Sequence, residues 1–236
     1  MPEPHGKAHT RPPGARVSWR VDDIPLPLRP LLFILGVLAA AGLALVWGLL
    51  RLTIRIRNVG EVPADPRAVT IECAWHEALL PYFVARMPYR KPYVWMNHPA
   101  FYMKGIHVFL GWMGVGELVL GSSGHGGRAA LTALGPRVQA GCSTFLNPDG
   151  PYGPAHVLRD GVLDLSIATG APVLALRLEC SNAIRIPTWD RKLVPLPFSR
   201  IDVHHAPLRV VTIENREQLR AAIASDLGEP ASVRVG

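Results

Sequence analysis

The sequence predicts an α/β domain in which helices cover both faces of a mixed, largely parallel sheet, preceded by one N-terminal membrane helix. Short β-like runs alternate with helical segments from residue 52 onward, which is typical of such sheets. The run from Leu31 to Leu50, LLFILGVLAAAGLALVWGLL, contains no charged residue. As a helix it is about 30 Å long, close to the thickness of a bilayer's hydrocarbon core.

These observations divide the chain into three parts. Residues 1–28 are rich in Pro and Arg and predict a mobile basic tail. Residues 29–51 form a transmembrane or membrane-embedded helix, and residues 52–228 form the α/β domain. Its strands are predicted at 52–59 (an edge strand), 68–75, 92–97, 117–123, 142–147, 172–179, 184–187 and 201–211. Its helices are predicted at 77–87, from 126 with a break or kink at Gly135-Pro136, at 158–169 before a Gly170 cap, and at 215–227.

The charge balance favours a lipid partner. The chain carries a formal net charge of +7 and has a pI near 9.8, which suits contact with anionic lipid. Basic residues flank the apolar run on both sides, so they do not fix its orientation. No nucleic-acid recognition motif or basic–aromatic cluster is present, and we predict no nucleic-acid partner.

Cysteine usage indicates a reducing compartment. Cys73, Cys142 and Cys180 form no C-x-x-C pair, and an odd number argues against a disulfide framework. We therefore expect the domain at the cytoplasmic face of a bacterial inner membrane.

Polar residues gather where the predicted strands end, and ligands of doubly wound sheets bind outside those carboxyl ends. His76 follows one strand directly and begins a helix, where the positive helix end keeps an imidazole neutral and able to act as a base. Ser122, Ser123, Gly127 and Arg128 offer hydroxyls, backbone N–H groups and a cation, which suit a phosphate.

Three other kinds of site fit the sequence poorly. The loop after Gly121 lacks the Gly-Lys-Ser/Thr ending of a P-loop. The surroundings of Ser123 do not match the Gly-x-Ser-x-Gly of a serine hydrolase. His204 and His205 point to opposite faces of a strand and cannot chelate together, so we predict no metal site.

The stretch NPDGPYGP (147–154) interrupts regular structure because each proline removes an N–H donor and fixes φ. Asn-Pro-Asp-Gly is good turn chemistry, and a surface turn is one interpretation. The other is a rigid wall of the site that holds Asp149, with Gly150 and Pro151 beside it.

Taken in order, these blocks resemble the glycerophospholipid acyltransferase superfamily, and in particular a bacterial subgroup classified as a domain of unknown function. The likeness covers roughly residues 52–210. It rests on five blocks: Trp75-His76 with Leu79-Leu80-Pro81, GSSGHGGRAAL (121–131), NPDGPYGP, GVLDLSIATGAPVLALRLE (161–179) and TWDRKLVPLPFSRIDVHHAP (188–207).

The resemblance implies transfer of a fatty acyl group from an acyl-CoA or acyl carrier protein thioester to a hydroxyl of a lysophospholipid-like or other lipid acceptor. The thioester is a co-substrate, and no cofactor is expected. His76 would be the base and Asp149 a second catalytic residue. Ser122, Ser123, Gly127, Arg128, Gly150 and Pro151 would bind substrate. The expected partners are the bilayer, the lipid acceptor and acyl carrier protein as a possible donor.

One departure from the superfamily leaves a second interpretation open. Its H-x-x-x-x-D pattern places an aspartate five residues after the histidine, and here that residue is Pro81. Glu77, Glu117 or Asp149 could supply the carboxylate in space. Without a carboxylate, the chain would be a catalytically inactive lipid- or partner-binding protein on the same fold.

Overall fold

A computed structural model describes residues 20–21, 23–121 and 127–228, so most of the predicted mobile tail (1–28) lies outside the described residues. Within those ranges the α-helices are α1 (Arg29–Thr53), α2 (Leu79–Arg86), α3 (Lys104–Trp112), α4 (Gly127–Gln139), α5 (Gly161–Thr169) and α6 (Arg216–Leu227). The strands are β1 (Arg55–Gly60), β2 (Ile71–Cys73), β3 (Tyr93–Asn97), β4 (Glu117–Leu120), β5 (Ser143–Leu146), β6 (Val173–Cys180), β7 (Ala183–Arg185), β8 (Leu193–Pro195) and β9 (Arg200–His205).

Among the described residues, seven strands form one sheet in the order β1-β9-β6-β2-β5-β3-β4. The strands from β6 to β4 are mutually parallel, whereas β9 is antiparallel to β6 and β1 is parallel to β9. The ends of the five parallel strands and the starts of β1 and β9 therefore meet at one edge, which we call the carboxyl edge. β7 and β8 form a separate antiparallel pair. The prediction of a mixed, largely parallel sheet is confirmed, and β1 is an edge strand as expected.

Each face of the sheet carries its own apolar core. On one face Trp95, Phe145 and Leu176 pack with side chains of α1, α2 and α3. On the other face Ile71 and Val94 pack with side chains of α4, α5 and α6. Strands buried on both sides are typical of parallel sheets covered by helices, and this explains the continuous apolar runs of the sequence.

Helix α1 packs against the domain along one narrow side of its surface. Gly36 and Ala40 are buried, and the Trp47 indole N–H donates to the Phe83 carbonyl at 3.1 Å. The opposite side is apolar and exposed, with Leu45 76% and Leu52 87% accessible. Among the described residues, one helical stretch, Leu26–Thr53, is long and apolar enough to cross a membrane. The chain thus has one N-terminal candidate membrane helix, which is docked on the domain along part of its circumference.

A buried ion pair stands in the core beneath the carboxyl edge. Glu72, in the middle of β2, is fully buried and accepts hydrogen bonds from Arg86 and from the Tyr82 hydroxyl. Burial alone would raise the pKa of Glu72, but Arg86 and Tyr82 outweigh it and the pKa is lowered. This pairing accounts for an acid inside an otherwise apolar strand.

Several predicted boundaries shift. Leu52 and Thr53 complete α1, so the edge strand begins only at Arg55. Helix α4 continues through Gly135-Pro136 to Gln139 and does not break there. The proline removes one N–H donor from the helix, but it lies in the last turn, and the helix ends three residues after it. Beyond His205 the predicted strand reduces to a single bridge between Arg209 and Val173.

Gly105 provides a test of how α1 is docked. Gly105 and Gly111 both lie in α3, and Ala39 lies in α1. A Cβ at Gly105 would lie 2.7 Å from Cβ of Ala39, whereas a Cβ at Gly111 would meet nothing within 4 Å. We expect Gly105→Ala to lower the free energy of unfolding by about 1–3 kcal/mol because the two helices are forced apart. Gly111→Ala should leave the free energy of unfolding unchanged or raise it slightly. Chemical denaturation in detergent measures both, and equal effects would contradict the docked position of α1.

Candidate active site

His76 stands at the carboxyl edge, three residues after the end of β2. It opens the short helical turn His76–Ala78 that leads into α2. Its backbone N–H donates to Asp149 Oδ1 at 3.0 Å, and its side chain is 19% exposed. The ring is therefore largely enclosed, but one part of it can meet a substrate.

The imidazole of His76 has a carboxylate partner, Asp190. Nδ1 of His76 lies 2.6 Å from Asp190 Oδ2, although the two residues are 114 positions apart. Asp190 also accepts hydrogen bonds from the Thr188 hydroxyl at 2.5 Å and from Lys192 Nζ at 2.7 Å. Thr188, Asp190 and Lys192 all belong to the loop that joins β7 to β8. The loop thus brings an acid to His76 from outside the main sheet.

Asp190 is held in its ionised form. Burial opposes ionisation, but the hydrogen bonds from Lys192, Thr188 and His76 outweigh it and hold the pKa of Asp190 well below its usual range. An ionised carboxylate only accepts hydrogen bonds, so the proton between the two side chains resides on Nδ1 of His76. In the neutral imidazole, Nε2 then carries the free lone pair.

The same surroundings keep His76 neutral. Burial lowers its pKa, and the positive charge of Lys192, whose Nζ is 3.1 Å from Nδ1, lowers it further. The hydrogen bond and charge of Asp190 act in the opposite direction but do not cancel these effects. A neutral, oriented imidazole with a free Nε2 is able to accept a proton from a bound hydroxyl group.

Trp189 and Gly153 complete the enclosure of the imidazole. The Trp189 ring stacks on His76 with centroids 5.2 Å apart and planes inclined by 27°. Gly153 packs on the same indole: a Cβ there would lie 2.7 Å from Cε3 of Trp189. Gly153 also has φ +71°, in the left-handed region that favours glycine. The stretch NPDGPYGP and the β7–β8 loop therefore meet at His76.

Asp149 holds the backbone at His76 and at His156. It is fully buried, and its two carboxylate oxygens accept the backbone N–H groups of His76 at 3.0 Å and His156 at 3.3 Å. Burial raises the pKa of Asp149, and these two hydrogen bonds oppose that rise. Sequence analysis grouped Asp149 with His76 as catalytic. In the structure its oxygens hold two backbone N–H groups, which is a positioning contact, and its catalytic role stays a prediction.

A cavity of about 240 Å³ opens beside this arrangement. It lies between the first turns of α4 and α5, and its lining includes Asn147, Gly150, Arg128 and Arg159. The lining does not include His76 itself, but the Asn147 side-chain amide donates to the Ala74 carbonyl at 2.9 Å, two residues before His76. The two arginines make the cavity suitable for an anionic or polar group.

The predicted substrate-binding residues are distributed as follows. Arg128 and Gly150 line this cavity, whereas the lining does not include Pro151. Gly127 is the first residue of α4. Ser122 and Ser123 lie outside the described residues. The structure thus brings Arg128 and Gly150 together, and the role of all six in binding stays a prediction.

Asp190 is the residue that sequence reasoning missed. The acids considered for His76 have other partners: Glu77 pairs with Arg185 at 3.0 Å, and Glu117 accepts from Arg137 at 2.9 Å at the opposite end of β4. One signal was present. Asp190 is the only acid in Thr-Trp-Asp-Arg-Lys (188–192), a block that had been given no chemical role.

Among known proteins the clearest likeness is one of fold. No protein-family model matches the chain. An uncharacterized protein of Rickettsia prowazekii (strain Madrid E) is 23% identical over 87 residues, which are 37% of this chain and 40% of that protein. The crystal structure of the 1-acyl-sn-glycerophosphate (LPA) acyltransferase PlsC from Thermotoga maritima matches with a TM-score of 0.50 and 13% identity, covering 84% of this chain and 95% of that chain. The chain therefore has an acyltransferase-like fold.

Replacing Asp149 tests its positioning role. Asp149→Ala leaves two buried N–H groups without an acceptor, and each such loss typically lowers the free energy of unfolding by about 1–3 kcal/mol. Asp65 is the matched control, because it also accepts a backbone N–H, from Arg67 at 2.8 Å, but is exposed. Asp65→Ala should change stability by no more than about 0.5 kcal/mol. If chemical denaturation gave equal values for the two variants, Asp149 would not be bracing the site.

Proposed function

We propose that this chain is a membrane-associated acyltransferase that moves a fatty acyl group from a thioester to a hydroxyl of a lysophospholipid-like or other lipid acceptor. The observation that carries the proposal is the His76–Asp190 pair at the carboxyl edge of an acyltransferase-like fold. The thioester would be carried by CoA or acyl carrier protein, as a co-substrate. The reaction needs no further cofactor, because a base and a positioned acceptor are sufficient.

His76 would act as the base. As the acceptor oxygen attacks the thioester carbonyl, Nε2 takes the hydroxyl proton and a C–O bond forms. Asp190 stabilises the resulting imidazolium through its hydrogen bond to Nδ1. When the tetrahedral intermediate collapses, the C–S bond breaks and the imidazolium returns its proton to the leaving thiolate. The histidine is thereby restored, and no covalent acyl-enzyme is required.

The arginine-lined cavity is the site proposed for the acceptor's polar head. Arg128 and Arg159 contribute positive charge to its lining, and the acid at its rim, Asp164, is paired with Arg216 at 2.7 Å. A phosphate group would gain charge-assisted hydrogen bonds from these guanidinium groups. Asn147 lines the cavity and donates to the Ala74 carbonyl, two residues before His76, and this supports a head-group site close to His76.

Helix α1 is the part proposed to meet the bilayer. Its exposed apolar side faces away from the domain, and its last residue, Thr53, is followed almost at once by β1, which starts at the carboxyl edge. A lipid acceptor in the bilayer would therefore be close to the edge that carries His76. The free and buried thiols of Cys73 and Cys180 agree with the proposed cytoplasmic face of a bacterial inner membrane.

The competing interpretation is a catalytically inactive lipid- or partner-binding protein. It was motivated by Pro81, which stands where the superfamily pattern has an aspartate. Asp190 supports the enzymatic proposal because it offers the required carboxylate from another part of the chain. Co-purified lipid without turnover would favour the binding protein.

Acyl transfer by the purified full-length chain, with a panel of acyl thioesters and lysolipids, tests the proposal. We expect His76→Ala to lower the rate by about 10²–10⁴-fold, because the base is lost. Asp190→Asn should lower it by at least about 10²-fold, because the imidazole loses its orienting charge.

Asp226→Asn is the control for this assay. Asp226 is also an ion-paired aspartate, bound to Arg209 at 2.7 Å, but it lies in α6. This variant should retain the activity of the unmodified chain. Full activity of His76→Ala would refute the assignment of the base, and absence of turnover with every substrate would favour the binding protein.

A further inference from the structure

The segment Pro197-Phe198-Ser199, just before β9, has no part in the proposed chemistry but has an unusual conformation. Phe198 has φ +64°, in the left-handed region that bulky side chains rarely adopt. Its side chain is nevertheless 86% exposed. A strained backbone that presents a large aromatic ring to its surroundings indicates a contact made outside the chain.

Phe198 stands beside the last turn of α1. The backbone N–H of Arg55 donates to the Ser199 carbonyl at 3.0 Å, and Arg55 is paired with Arg200 at the start of the β1–β9 ladder. Neighbouring strands are about 4.8 Å apart, so Phe198 is adjacent to the end of α1. Leu52, in that last turn, is 87% exposed. Leu52 and Phe198 are thus two exposed apolar side chains near the same end of α1.

The surroundings of Phe198 are cationic. Arg51, Arg55, Arg57 and Arg200 are all exposed. Within this group the acid is Asp202, which accepts from Arg57 at 2.8 Å and from Arg200 at 3.0 Å. The four arginines and Asp202 together carry a net charge of +3. Arginines around an exposed aromatic at the end of an apolar helix are the composition of a membrane–water interface.

We propose that Phe198, surrounded by Arg51, Arg55 and Arg200, forms a second membrane-contact surface and inserts into the head-group region of an anionic bilayer beside the end of α1. This inference rests on the membrane contact proposed for α1. β9 lies two strands from β2, about 10 Å away, so the contact would hold the carboxyl edge, with His76, close to the bilayer. The hairpin strand β8 ends three residues before Phe198, so the Asp190 loop would be held with it.

The test measures membrane depth and does not depend on catalysis. Single cysteines at Phe198, Leu38 and Ile213 are labelled with an environment-sensitive fluorophore in a Cys142→Ser background, since Cys73 and Cys180 are buried. Leu38 reports on α1 and is 64% exposed. Ile213 is 77% exposed but follows the bridge to Val173 at the opposite edge of the sheet. Each full-length variant is reconstituted into phosphatidylcholine–phosphatidylglycerol vesicles that contain doxyl-labelled lipid.

We expect doxyl lipid to quench the label at Phe198 and at Leu38 but not at Ile213. Arg55→Glu should lower the quenching at Phe198 in these vesicles and have little effect in vesicles of phosphatidylcholine alone. Quenching at Leu38 without quenching at Phe198 would overturn this inference and leave the membrane contact of α1 intact. Absence of quenching at both positions would overturn both contacts, and quenching at Phe198 alone would remove the α1 contact on which this inference rests.

Discussion

The site depends on one hydrogen bond, from Nδ1 of His76 to Asp190. It fixes the tautomer, leaves Nε2 free to accept a proton, and provides a negative charge that would stabilise the imidazolium in the proposed acyl transfer. The bond exists only because three separate contacts hold its partners. Asp149 fixes the backbone of His76, Trp189 stacks on its ring, and Lys192 holds Asp190. Without these contacts, a histidine after a strand would be an ordinary boundary residue.

These contacts give the proline- and glycine-rich stretch NPDGPYGP a defined task. Asp149 accepts two backbone N–H groups, and Gly153 leaves the space that the Trp189 indole occupies. A loop with few accessible conformations loses little entropy when it is fixed in this way. The stretch is still a turn, but it is the turn against which His76 and the Asp190-bearing loop are packed.

Much of the fold could be predicted because hydrophobic patterns are local. The buried runs around Ile71, Val94 and Val173 gave the parallel strands, and Gly170 does cap α5 in a left-handed conformation. The partner of His76 could not be predicted, since it depends on how a hairpin inserted between β6 and β9 folds back over the sheet. Pattern alone also could not show that α1 is docked on α3, because small residues such as Gly36 and Ala39 are ordinary in a membrane helix.

The most direct test of the central claim is nitrogen-resolved NMR of the His76 side chain in the full-length protein. We expect a strongly deshielded Nδ1 proton that is lost in Asp190→Asn. We also expect the ring to titrate below the usual histidine pKa of about 6.5, because burial and Lys192 disfavour the imidazolium. Lys192→Met should move that titration to higher pH. An Nδ1 proton unaffected by Asp190→Asn, with titration above the usual range, would contradict the account.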